Sequence, residues 1–159
     1  MNAIDLLEQQ HREVETLFEM IEEAKGERKA ELAAELADAL AAHSAIEEQI
    51  FYPQTLSART EEQLREAVEE HLSAKRLLAD LLESRPSDDQ FDAKIKVLKE
   101  QIEHHVEEEE GELFPTVKKQ MKDQLDEMGE EMEALYAELM TGEPREEIPR
   151  ETREPAPLD

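Results

Sequence analysis

Four histidines and two glutamates occupy positions where a helix would be expected to carry apolar side chains. His43 lies four residues before Glu47, and His105 lies four residues before Glu109. Residues at positions i and i+4 share one face of a helix, so each pair points in a single direction. Two lone histidines interrupt further apolar faces in the same way. The six residues are His11, His43, Glu47, His71, His105 and Glu109.

Such a set of polar side chains inside an apolar core is costly unless something neutralises it. A buried carboxylate is too expensive to keep charged alone, and a second one nearby raises the cost. Two metal cations remove the problem, because imidazole nitrogens and carboxylate oxygens then become ligands. Zinc prefers about four ligands in a closed tetrahedron. Six ligands with two carboxylates favour two ions of higher coordination number, iron first and manganese as the weaker alternative.

The two histidine–glutamate pairs belong to a repeat that spans the chain. The segments HSAIEEQIFYP and HVEEEEGELFP begin 62 residues apart, and the two lone histidines are 60 residues apart. This repeat predicts two helical hairpins related by a pseudo-two-fold axis, each supplying two histidines and one glutamate. In both halves an aromatic residue and a proline end the motif, at Tyr52-Pro53 and Phe114-Pro115. These aromatic side chains are expected to close the end of the bundle.

Long helices must position these residues, because good helix formers dominate and alternating apolar–polar runs are absent. Glycines and prolines divide the chain into helices predicted at about 3–24, 27–52, 61–84, 88–114 and 117–140. Short links between them predict an all-α fold. It is an antiparallel up-down-up-down four-helix bundle, with an additional C-terminal helix against its outside.

The ends of the helices and of the chain complete the predicted organisation. Three residues are expected to cap helix starts through their side chains, the last two within capping boxes: Asn2, Thr60 and Ser87. The predicted domain covers 1–140, with its core in 1–120. Residues 141–159 form an acidic, proline-rich tail. That tail is expected to be weakly ordered unless it docks on something.

Composition narrows the class of protein. The 159 residues include 18 Lys+Arg and 43 Asp+Glu, which gives a net charge of −25, and no cysteine. The negative charge disfavours DNA, RNA and anionic membranes as partners, because phosphates would be repelled. The absence of cysteine excludes a disulfide scaffold and a thiolate zinc site. Without a long apolar run or the features of a signal peptide, the sequence predicts a cytoplasmic protein.

The order of these motifs resembles the hemerythrin-like family, also called the HHE cation-binding domain. The resemblance rests on the lone histidines, on both H-x-x-x-E motifs and on the aromatic-Pro endings, and it covers about residues 1–120. It implies a four-helix bundle around a non-heme di-iron centre. It implies that Glu47 and Glu109 bridge the irons together with a solvent oxo or hydroxo group. The implied ligands are His11, His43, Glu47, His71, His105 and Glu109.

One position departs from the oxygen-carrying members of that family, which have a further histidine one turn after the third-helix ligand. Here that position is Lys75. The missing imidazole leaves a coordination position open to water or to Glu15, four residues after His11. The leading hypothesis is a protein that binds dioxygen or a related small molecule such as peroxide or nitric oxide. Two alternatives stay open: a redox enzyme that processes peroxide or nitric oxide, and an iron or oxygen sensor signalling to an unknown protein partner.

The sequence also leaves open what several neighbouring residues do. Glu48 and Glu110 directly follow Glu47 and Glu109. Each is expected either on a solvated face or in a hydrogen bond that orients a metal ligand. His104 is expected on the surface, because it points about 100° away from the neighbouring histidine. Met128 and Met132 are expected to pack the fifth helix onto the bundle.

Overall fold

The computed structural model describes residues 1–158. Five helices account for most of the fold: α1 (Ala3–Glu23), α2 (Gly26–Ile46), α3 (Glu61–Leu82), α4 (Phe91–Glu108) and α5 (Leu125–Met140). α1 packs on α2, α2 on α3, α3 on α4 and α4 on α1, so the first four helices form a ring of neighbours. Short connections make consecutive helices antiparallel. The predicted four-helix bundle is confirmed, and α5 packs outside it, on α1 and α2.

The predicted side-chain cap is present at the start of α1 but absent at the start of α3. The side chain of Asn2 accepts a hydrogen bond from the backbone N–H of Asp5 at 2.9 Å, which confirms the first prediction. Thr60 does precede α3, but its hydroxyl donates to the backbone carbonyl of Thr55 at 2.7 Å. The capping box predicted there is therefore wrong, because the hydroxyl is used to close the preceding loop.

The start of α4 also differs from the prediction. The helix begins at Phe91 rather than at residue 88, and no capping side chain precedes it in the described structure. Asp88 instead accepts a hydrogen bond from the backbone N–H of Arg85 at 2.8 Å. The residues around Ser87 thus form turns, and the capping box predicted at Ser87 is wrong.

Both motif-bearing helices widen at their glutamates into a π-helical turn before returning to α-helix. The continuations are Glu47–Phe51 with Tyr52–Thr55 after α2, and Glu109–Leu113 with Phe114–Met121 after α4. The N–H of Tyr52 bonds to the carbonyl of Glu47, five residues back rather than four. Pro53 follows at once, and it lacks the N–H that an α-helical bond would need. The proline thereby explains why the helix widens at this point, as such turns often do at functional sites.

α5 begins later than predicted, at Leu125, after a 3₁₀ turn at Lys122–Gln124. Met128 and Met132 are fully buried, which confirms that they pack the helix onto the bundle. Gly129 allows α5 to approach the backbone of the N-terminus closely. A Cβ atom at this position would lie 2.8 Å from the backbone nitrogen of Ala3 and still closer to the backbone oxygen of Met1.

After α5, the chain folds back onto the bundle through residues 144–151, called the C-terminal segment below. It consists of a 3₁₀ turn, Pro144–Glu147, and one α-helical turn, Ile148–Glu151. The segment packs on α2 and α3, and Ile148 is completely buried. The sequence predicted weak order for this tail unless it docked, and in the structure it docks.

A polar layer divides the core of the bundle into two apolar clusters. The glutamate-side cluster lies beyond the π-helical turns and contains Ile4, Leu7, Phe51, Leu64 and Phe114. The histidine-side cluster lies at the other end and contains Phe18, Leu36, Leu78, Leu98 and Ile148. The four core histidines and both core glutamates form the layer between them. None of the helices within residues 1–158 is long and apolar enough to cross a membrane.

Candidate metal centre

The six polar residues predicted for the core converge in the middle of the bundle, and none is more than 6% exposed. Their candidate ligand atoms fall into two groups within 4.8 Å: His11, His43, Glu47 and Glu109, and Glu47, His71 and His105. Glu47 belongs to both groups. The arrangement has the form of two adjacent sites that share a carboxylate.

Short contacts join the histidine Nε2 atoms to the carboxylates. Glu47 Oε1 lies 3.2 Å from His43 Nε2 and 3.1 Å from His71 Nε2. Glu109 Oε1 lies 3.2 Å from His11 Nε2. The two carboxylates therefore face imidazoles of their own and of other helices, and the candidate ligand atoms of each group lie within 4.8 Å of one another.

The Nδ1 atom of each core histidine is bonded to an acceptor on a neighbouring helix. The four pairs, at 2.6 to 2.7 Å, are His11–Glu110, His43–Gln10, His71–Glu48 and His105–Glu70. An ionised carboxylate can only accept, so Nδ1 carries the proton and Nε2 keeps its lone pair for the centre. Metal-binding histidines are typically oriented in this way.

The four acceptors repeat with the same pseudo-two-fold symmetry as the histidines. Glu48 and Glu110 each follow a core glutamate, and the structure resolves the open alternative for both in favour of orienting a histidine. Gln10 and Glu70 each precede a lone histidine, and the sequence analysis missed them. Their equivalent positions, 60 residues apart, were the available clue.

The symmetry breaks at the aromatic residues that follow the π-helical turns. Tyr52 donates its hydroxyl hydrogen to Glu109 Oε2 at 2.6 Å and stacks on His71. Its counterpart, Phe114, stacks on His11 but has no hydroxyl to offer. Among the described residues, no donor satisfies either carboxylate oxygen of Glu47.

These unsatisfied atoms test whether a metal fits the site. A fully buried carboxylate without a donor is costly, and so are two lone pairs that face each other. His71 Nε2 and His105 Nε2 lie only 3.2 Å apart while the Nδ1 atoms of both rings hold the protons. Cations bound at this point would satisfy both features at once, and nitrogen with oxygen donors suits divalent transition metals. The donor set therefore fits a divalent transition metal.

The electrostatics also call for positive charge at the centre. Burial alone would lower the pKa of His105, but the carboxylate of Glu109 raises it well above the ordinary value. Burial alone would raise the pKa of Glu47, but the neighbouring His43 holds it well below the ordinary value. In the metal-free protein the carboxylates thus favour a second proton on His105, at the Nε2 atom that a metal ion would otherwise occupy. Burial raises the pKa of Tyr52 well above its usual range, so the phenol stays protonated and donates.

Three further residues singled out in the sequence lie outside the cluster. Glu15 is exposed and lies 3.6 Å from Arg12, so its carboxylate does not join the ligand atoms. His104 is exposed, as expected, and pairs with Glu108. Lys75 is buried, but its ammonium group donates to both oxygens of Glu48 at 3.0 Å rather than entering the centre.

A mainly apolar cavity of about 30 Å³ borders all four core histidines, and neither Glu47 nor Glu109 lines it. Side chains of all four bundle helices line it, among them Val14, Leu40, Leu78 and Ile102. Ile148, from the C-terminal segment, completes the wall. A water molecule needs about 10–15 Å³ of such space, so the cavity has room for a molecule of two or three atoms.

Comparison with known proteins agrees with this geometry. The family model described as the Hemerythrin HHE cation binding domain matches residues 2–117. The chain belongs to the hemerythrin HHE cation-binding family. A crystal structure of a hemerythrin HHE cation-binding domain-containing protein from Mycobacterium kansasii is similar, with a TM-score of 0.79 and 26% identity. The similarity covers 89% of this chain and 88% of that one. The family binds metal ions, and the buried histidine–glutamate cluster is where this member would do so.

A second match is to part of a longer protein. A DNA nickase from Nostoc sp. (strain PCC 7120 / SAG 25.82 / UTEX 2576) is 26% identical over 141 residues. The match includes 87% of this chain but only 40% of that protein. The chain therefore spans less than half of the length of that relative.

Proposed function

We propose that this hemerythrin-like protein holds two iron ions at the cluster and binds dioxygen, peroxide or nitric oxide beside them. The observation that carries the proposal is Glu47, which is fully buried, lacks a hydrogen-bond donor and is shared by both groups of candidate ligands. A carboxylate in this position is suited to bridging two cations. Manganese is the alternative metal, because it accepts the same nitrogen and oxygen donors.

Each residue of the cluster has a distinct task in this proposal. Glu47 and Glu109 would hold the two ions together with the four histidines, His11 and His43 in one group and His71 and His105 in the other. The Nδ1 hydrogen bonds fix the ring orientations, and the hydroxyl of Tyr52 keeps a proton close to Glu109. Two ferrous ions would together supply two electrons to a small oxidant bound beside them.

The size and polarity of the cavity that borders the four core histidines favour a small ligand. Its volume of about 30 Å³ favours molecules of a few atoms, and its mainly apolar walls limit the access of water. Dioxygen, hydrogen peroxide and nitric oxide are the redox-active molecules that match this space.

Metal analysis of protein purified without added metal tests the proposal directly. We expect about two iron atoms per chain, together with a visible absorption band that appears when the reduced protein meets oxygen. Glu47→Gln should lose most of the iron, because a neutral amide cannot bridge two cations. Glu15→Gln is the matched control and should keep it, since Glu15 lies outside the cluster. A colourless wild-type protein without iron or manganese would refute the proposal.

Processing of peroxide or nitric oxide is the second candidate function. The observation in its favour is that Lys75 replaces the additional imidazole and turns towards Glu48, away from the centre. One coordination position is thus left to solvent or substrate. Oxygen evolution after addition of hydrogen peroxide to the iron-loaded protein would support it. Lys75→His should suppress that turnover, and unchanged turnover in this variant would argue against the role assigned to the position.

The net charge of −25 supports a partner that is neither nucleic acid nor an anionic membrane. The DNA nicking named for the longer relative is therefore not part of the proposed function of this chain. A filter-binding assay with nicked and intact duplex DNA at low salt should detect no complex.

A further inference from the structure

Ile148 reaches the cavity beside the histidines from outside the four-helix bundle. It is fully buried, belongs to the histidine-side cluster and lines the cavity together with side chains of α1 to α4. The matched family domain ends at residue 117, so this wall is provided by a part of the chain beyond the domain. We propose that Ile148 is a specificity-determining residue, which sets the upper size of the ligand that reaches the metal centre.

The bundle holds the C-terminal segment in place at both ends of the isoleucine. Before it, the backbone N–H and the guanidinium of Arg145 donate to the carboxylate of Asp38 at 3.0 and 2.7 Å. After it, Glu151 pairs with the buried ammonium group of Lys75 at 2.6 Å. An apolar side chain flanked by two such ion pairs is fixed in its position, as a residue that selects by size must be.

The second of these ion pairs also joins the segment to the centre. The Lys75 ammonium group contacts Glu151 on one side and Glu48 on the other, and Glu48 accepts the Nδ1 hydrogen of His71. Ile148 and the orientation of a core histidine are therefore fixed by one continuous set of contacts. The C-terminal segment is thus a built part of the cavity rather than a loose cover.

The inference rests on the proposed function for its ligand, but the space itself can be tested separately. Ile148→Ala removes side-chain volume from the cavity wall, and Ile148→Val removes a single methylene group. Ile95→Ala is the matched control, because Ile95 is also buried in the same cluster but does not line the cavity. All variants are made in the full-length chain and compared at equal iron content.

The first measurement uses two anions of different length, azide and the larger thiocyanate, in spectroscopic titrations of the iron-loaded protein. Ile148→Ala should raise the affinity for thiocyanate relative to azide by about tenfold or more, with a smaller change in Ile148→Val. Ile95→Ala should leave the ratio at the wild-type value. An unchanged ratio in Ile148→Ala would overturn the inference.

The second measurement does not depend on the metal. Xenon occupies apolar cavities, so its addition should shift the amide resonances of cavity-lining residues more in Ile148→Ala than in wild type or Ile95→Ala. Equal shifts in both alanine variants would overturn the assignment of the wall. If wild-type protein binds neither anion but the xenon result holds, the proposed function fails while the cavity wall stands.

Discussion

At the scale of single residues, the Nδ1 hydrogen bonds of the four core histidines explain how the imidazole rings keep one orientation. Each core imidazole has its Nδ1 proton engaged, so its Nε2 lone pair has one direction available. Three of the acceptors are carboxylates and the fourth, Gln10, is neutral. His43 is thus the core histidine whose partner adds no negative charge.

Removal of the Glu70 charge should weaken metal binding without removing a ligand. In Glu70→Gln, the acceptor of the His105 Nδ1 hydrogen at 2.7 Å becomes neutral or turns away. We expect metal affinity to fall about 10- to 100-fold, as is usual when such an orienting partner is lost. Competition titration with a chelating dye measures it. Glu69→Gln, on the exposed neighbouring residue, should match wild type, and an equal loss there would contradict the role given to Glu70.

Removal of the Tyr52 hydroxyl should destabilise the metal-free protein. Tyr52→Phe leaves the buried Glu109 Oε2 without its 2.6 Å hydrogen bond. The expected loss is about 1–3 kcal/mol in the free energy of unfolding, since an unsatisfied buried acceptor costs about that much. Urea denaturation measures it, with Tyr136→Phe outside the cluster as the control. If Tyr52→Phe lost no more unfolding free energy than Tyr136→Phe, the hydrogen bond would not be a source of stability at the site.

The sequence was sufficient to identify the six converging residues, because i, i+4 spacing and an internal repeat are independent of the details of packing. It was not sufficient for Gln10 and Glu70. Whether each of these side chains faces a histidine depends on how one helix is rotated against its neighbour. That rotation is set by packing between helices, and the pattern of apolar residues along one helix does not contain this information.

At the scale of helices, the widened turns at Glu47–Phe51 and Glu109–Leu113 could not be predicted from a regular period of 3.6 residues. A proline after each turn was the physical cause and was visible in the sequence. The docking of the C-terminal segment was equally hidden. It depends on Ile148 and two ion pairs, which together are too few residues to produce a periodic pattern.

The attachment of α5 depends on the absence of a side chain at residue 129. In Gly129→Ala, the new Cβ would lie 2.8 Å from the backbone nitrogen of Ala3, so α5 and the N-terminus must separate. We expect a loss of about 1–3 kcal/mol and faster amide exchange in α5, with little change in metal content. Gly111→Ala is the control, because its added Cβ would have nothing within 4 Å beyond its chain neighbours and its own helical backbone. Equal stability of the two variants would contradict this packing.

At the scale of the whole molecule, the centre links folding to protons and metal. Burial would lower the pKa of His71 and His105, but nearby glutamates raise both above the ordinary value of 6.5. Protonation of these histidines therefore stabilises the metal-free fold fully below about pH 6.5. The stabilisation is lost as the pH rises through the raised values. The pKa of Glu47 is shifted in the opposite direction, to well below 4.5. Its ionised carboxylate therefore stabilises the fold at neutral pH, and this stabilisation is lost only as the pH falls through the lowered pKa.

Thermal unfolding with and without metal should show this linkage. The melting temperature of the chelated protein should decrease as the pH rises from about 6 to about 9, because the protons that balance the glutamates leave. In the iron-loaded protein the metal supplies the positive charge, so the melting temperature should be higher and nearly independent of pH over that range. Parallel pH profiles in the two forms would contradict the linkage. Complete loss of helical circular dichroism on chelation would favour the sensor alternative, since the fold itself would then report the metal.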